Sequence, residues 1–181
     1  MANEEYEELD KLAIAIYLDY QLNRFPIDVM GLSRIMGAQL IPYSAYEEDM
    51  ELFKKKSPDG FYCPRADKPM ILYNDRDFSE QRIRVTIGHE IKHYVCEDAE
   101  EDQEKDPLAT HFGRYLLCPT PILIYLGIDD VYTIMEMFNI SYEASGYALR
   151  AAENRRLRYK DRIFEYEEPL IELFKWMKED S

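Results

Sequence analysis

The stretch from Ser79 to Cys96 constrains this chain more than any other, because it reads as one helix with His89-Glu90-Ile91-Lys92-His93 at its centre. Ser79 suits an N-cap, Glu80 lies in the first turn, and Ile83, Val85, Ile87, Ile91, Tyr94 and Val95 carry the apolar pattern onward. On a helix, residues four apart share a face. His89 and His93 can therefore reach one metal ion while Glu90, on the adjoining face, addresses a water beside it. The chain has 3 histidines, and two of them complete this pattern. Zinc is the expected ion, Glu90 the expected general base, and peptide-bond hydrolysis the chemistry such a set suits.

A catalytic zinc calls for a third protein ligand and an open fourth position. Residues 97–106 are rich in carboxylates, and most of them read as a solvated acidic loop. Asp106 stands out because Asp106-Pro107 opens the next helix as N-cap and first helical residue. Glu104 is the nearest substitute. His111, one turn onward, is a third option and better suited to face a substrate.

Around this helix the periodicity predicts others. Residues 4–23 form a first helix, broken by Phe25-Pro26, and a second, short helix ends at Gly37. Extended runs follow at 39–43, 60–64 and 70–74, the last two joined as a hairpin by Arg65-Ala66-Asp67-Lys68. Residues 107–117, 122–138 with a break near Gly127, 141–156 and 170–178 read as further helices. The expected class is α+β, mainly helical, with a small three-stranded antiparallel sheet. Met70 to Asn74 is expected at the sheet's edge, where an extended substrate could pair with it. Asn74 is then a candidate substrate contact, its alternative being a cap at the hairpin's exit. The expected division is 1–125 for a domain carrying the motif and 126–181 for a helical extension, whose Phe164, Leu170, Leu173, Phe174 and Met177 cover the chain's own core.

Composition narrows the partners. Of 181 residues, 22 are Lys or Arg and 36 Asp or Glu, a formal charge of -14 that disfavours binding a nucleic-acid backbone. Three cysteines without a CxxC pair encode neither a disulfide framework nor a thiolate zinc cluster, which fits a reducing cytosol. No apolar run approaches the roughly 18 residues that span a bilayer, so no membrane partner is expected.

Thr86-Ile87-Gly88-His89-Glu90-Ile91-Lys92-His93, with Ile71-Leu72-Tyr73-Asn74 upstream, resembles the ImmA/IrrE family of metallopeptidases. So does the downstream phrase from Asp106 through Ala109, Phe112 and Leu116-Leu117-Cys118-Pro119, and so does Phe138-Asn139-Ile140-Ser141-Tyr142-Glu143-Ala144. The similarity covers about residues 25 to 156. It implies a zincin-like fold, His89 and His93 as zinc ligands, Glu90 as catalytic glutamate, and Asp106 where the family usually has a Glu ligand. It places Lys92, a flexible cation beside the cleft, where the family usually has Gly. The implied activity is a cytosolic endopeptidase acting on a DNA-binding helix-turn-helix repressor of a phage, mobile element or stress response. The alternative is a catalytically weak or inactive metal-binding protein that senses or sequesters a regulator.

Overall fold

A computed structural model describes residues 2–64, 68–98 and 107–179. Its chain forms α1 (Ala2–Asp19), α2 (Val29–Ile35), β1 (Gln39–Pro42), a 3-10 turn (Tyr43–Tyr46), α3 (Met50–Lys56), β2 (Gly60–Cys63), β3 (Met70–Tyr73) and α4 (Glu80–Val95). It continues through α5 (Pro107–Leu117), α6 (Thr120–Leu126), α7 (Val131–Phe138), α8 (Tyr142–Tyr159), a 3-10 turn (Glu165–Glu167), α9 (Glu168–Phe174) and α10 (Trp176–Glu179). The α+β class and the helical majority are as the periodicity implies. No described helix is long and apolar enough to cross a membrane. The chain packs as two units, residues 28–113 and residues 1–27 with 114–181.

In the unit of residues 28–113, the sheet departs from expectation. Its order is β1-β3-β2, with β2 antiparallel to β3 and β1 parallel to it. The sheet is mixed rather than antiparallel, and β3 is its central strand. Both edges of β3 are hydrogen-bonded to neighbours, which leaves no edge for a substrate there. An apolar run without polar alternation, Met70-Ile71-Leu72-Tyr73, fits a strand buried on both faces. Leu72 packs with Phe61 and Tyr43. Next to it in the strand, Ile71 is fully buried, as are Ile87 and Ile91 of α4. α4 lies close over the sheet: a Cβ built on Gly60 would stand 2.7 Å from both the Leu72 carbonyl oxygen and Thr86 Cγ2. Helix α3, which the periodicity does not announce, packs on the 3-10 turn beside this core.

The other unit is helical. Its aromatic centre stacks Phe25 on Phe174 with ring centroids 4.5 Å apart; Tyr17 meets both edge-on and Phe138 meets Phe25 edge-on. Leu170 and Phe174 are fully buried, so α9 covers this core as its spacing implies. The last turns of α8 are basic, and there Arg155 forms a two-pronged pair with the buried carboxylate of Glu167, which also accepts the Phe164 N–H at 2.8 Å. The break expected near Gly127 divides residues 122–138 into two helices. Gly127 ends α6 at φ 69, a left-handed conformation that glycine adopts readily, and Asp130 caps α7 by accepting the Thr133 N–H.

Candidate metal centre

α4 begins and ends on local signals. Ser79 accepts the Arg82 N–H at the start. At the end the chain turns back through Glu97, at φ 53, so that the Glu97 N–H donates to the Tyr94 carbonyl and the Asp98 N–H to the His93 carbonyl at 3.0 Å. That double return is the Schellman arrangement of a helix C-terminus. It brings the Asp98 side chain against the very histidine whose carbonyl its backbone caps.

Both imidazoles are held at Nδ1. His93, fully buried, donates Nδ1–H to Asp98 Oδ2 at 2.7 Å, since an ionised carboxylate can only accept. His89 Nδ1 lies 3.3 Å from the Thr110 hydroxyl of α5. Thr110 is in reach because α4 and α5 cross at a pair of glycines: a Cβ on Gly113 would fall 2.7 Å from the His89 backbone nitrogen, and one on Gly88 3.2 Å from Gly113. With both Nδ1 atoms engaged, the two Nε2 atoms face each other at 3.2 Å. Two nitrogens on a tetrahedral zinc at about 2.0–2.1 Å would stand about 3.3–3.4 Å apart. The donors thus fit such an ion, and the partners behind them are the supporting contacts that fix ring orientation in metal sites.

Glu90 is 5 % exposed. Its carboxylate accepts the backbone N–H of Tyr62 on β2, an edge strand of the sheet, while Oε2 has no hydrogen-bond partner among the described residues. Burial pushes this carboxyl up to about 8; the Tyr62 N–H opposes the rise and the charge of Asp59 adds to it. A buried carboxyl with one unengaged oxygen, next in sequence to a paired imidazole, is suited to exchange a proton near neutral pH.

The other expected site residues are placed as follows. Among the described residues, no group of three or more His, Cys, Asp or Glu side chains forms a complete ligand set. Asp106 and Glu104 lie outside the described residues. His111 sits on α5 directly after Thr110, half-buried. Asn74 is 1 % exposed and its carboxamide is committed to its own turn. Nδ2 donates to the Pro58 carbonyl and to Asp77 Oδ2, both at 2.9 Å, and Oδ1 accepts the N–H groups of Arg76 and Asp77. Two donors and two lone pairs exhaust an amide, so the strand-exit cap replaces the expected substrate contact. Lys92 is no flexible cation beside a cleft: it is 8 % exposed, with Nζ donating to Asp98 Oδ2 at 2.6 Å. Asp98 and Thr110 escaped the sequence reading, the first as one carboxylate in an acidic run, the second as a residue without a motif.

A mainly helical α+β chain that carries a paired imidazole site and a buried glutamate on one helix belongs to the class of HExxH domains. The model of the IrrE N-terminal-like domain, Peptidase M78, matches residues 47–150. That is more than half of the chain, which therefore belongs to this peptidase family, as its motifs imply. No curated protein and no solved structure matches the chain.

Proposed function

We propose that this chain is a zinc-dependent endopeptidase of the cytosol that hydrolyses a peptide bond in a regulatory protein. The substrate class implied by the family resemblance is a helix-turn-helix repressor of a phage, mobile element or stress response. The observation that carries the reading is the convergence of two Nε2 atoms at 3.2 Å, each ring secured at Nδ1, on the helix that also bears the buried Glu90. His89 and His93 would hold the ion, with Asp106 or Glu104 as the expected carboxylate. When bound, zinc supplies a Lewis acid that polarises a carbonyl and acidifies water. Glu90 serves as general base: Oε2 accepts a proton from the attacking water and returns it to the leaving amine, while the Tyr62 N–H keeps the carboxylate in place. His111 is the remaining candidate for a substrate contact. The net charge of -14 favours a basic protein partner over nucleic acid.

The test pairs the zinc-loaded protein with purified helix-turn-helix repressors as substrates and compares Glu90→Gln at equal zinc content. Loss of the base is expected to slow cleavage by about 10²-fold or more. Equal cleavage by the variant would refute the assigned role.

A further inference from the structure

The proposed reaction has no use for Lys92, yet its ammonium is buried within the support of the metal centre. Lys92 Nζ and His93 Nδ1 bind the same atom, Asp98 Oδ2, at 2.6 and 2.7 Å. The side chains of Lys92, His93 and Asp98 are 10 %, 0 % and 19 % exposed. We propose that Lys92 is a positioning residue of the metal centre, acting through Asp98 to hold the His93 ring with Nε2 turned toward His89. The inference rests on the reading of His89 and His93 as metal ligands.

Three features of the chain support it. The Schellman return fixes only the backbone of Asp98, through its N–H to the His93 carbonyl; the carboxylate can still rotate. An ammonium has three donors and no acceptor, so Lys92 can pull the carboxylate inward without competing for the His93 N–H. A buried, charge-assisted contact at this length is also among the stronger hydrogen bonds a side chain makes. With Asp98 anchored, His93 keeps its proton on Nδ1 and Nε2 remains a lone-pair donor. Without Lys92, the carboxylate is free to turn toward solvent, and the ring loses the partner that selects its tautomer and its angle.

The test is a double-mutant cycle in the full chain with Lys92→Met, Asp98→Asn and both together. It reads zinc affinity by competition with a chromophoric chelator, the visible spectrum of the cobalt-loaded protein, and the thermal midpoint after chelation. Asp98→Asn is expected to weaken zinc by about 10–100-fold and Lys92→Met by about tenfold. The double variant should be no weaker than Asp98→Asn alone, because both changes remove one support. The cobalt spectrum should shift in Lys92→Met while its chelated midpoint shows a folded protein. Wild-type affinity in Lys92→Met, or losses that multiply in the double variant, would overturn the proposal. Should Lys92→Met fail to fold without metal, Lys92→Gln keeps a donor to Asp98 and is expected to bind zinc better than Asp98→Asn; equal or weaker binding would again overturn it. A wild-type protein that binds no zinc would sink the metal-centre reading instead.

Discussion

At Nδ1 the two imidazoles meet unlike partners. His93 is backed by an ionised carboxylate at 2.7 Å and His89 by a neutral hydroxyl at 3.3 Å. Hydrogen bonds to charged groups are roughly twice as strong as neutral ones, and a contact at 3.3 Å is near the long end of the range. Thr110→Val keeps the shape of the side chain and removes the hydroxyl. It is expected to weaken zinc by less than the 10–100-fold of Asp98→Asn, on the order of threefold. Competitive titration of the two variants side by side checks the order. A Thr110→Val loss equal to that of Asp98→Asn would mean that the hydroxyl, rather than the carboxylate, sets the geometry of the pair. The HExxH pattern made the candidate ligands legible, because four-residue spacing is a property of any helix. Their supports were not legible, because Asp98 is singled out only by the left-handed turn at Glu97, and Thr110 only by a helix crossing.

That crossing is the element on which the site depends. A Cβ on Gly113 would meet the His89 nitrogen at 2.7 Å and the Gly88 carbonyl carbon at 2.9 Å, both of them backbone atoms that no rotamer change can move. On Gly88 the nearest approach is 3.2 Å, which a small shift relieves. Alanine favours a helix interior by about 1 kcal/mol over glycine, so a loose crossing would make either substitution stabilising. The expectation here is the reverse for Gly113→Ala: a net loss of about 1–3 kcal/mol, as overpacking of a close contact costs, with zinc affinity lowered because Thr110 is carried away from His89. Gly88→Ala should cost less. Urea midpoints of the two variants measure this, and a Gly113→Ala protein as stable as the parent would show that the helices can part without strain. In the sequence these glycines were silent, since their role arises from a neighbour about 25 positions away. The strand order was silent for the same reason. Local signals gave α4 its limits and divided α6 from α7, but the parallel pairing of β1 with β3 depends on contacts far apart in the chain.

At the scale of the whole molecule, the family match at residues 47–150 leaves out α1 and the tail, which meet each other: Tyr17 of α1 packs edge-on against Phe174 of α9 with centroids 5.9 Å apart. These two segments thus contribute to the helical core rather than standing apart from it. What the entire chain brings to a substrate is its charge, which was legible from composition alone: a net -14 acts over about a Debye length, roughly 10 Å at 0.1 M salt. On the proposed reading, a basic repressor is drawn to this surface before any specific contact forms, so charge should act on encounter and not on chemistry. The measurable consequence is a split. Between about 20 mM and about 500 mM salt, kcat/KM for the protein substrate is expected to fall by on the order of tenfold while kcat holds constant. A short, uncharged peptide containing the same cleaved bond should show little dependence, because it has no field to follow. If the peptide and the protein lose rate in parallel, salt is acting on the site itself, and the acidic surface has no part in recognition.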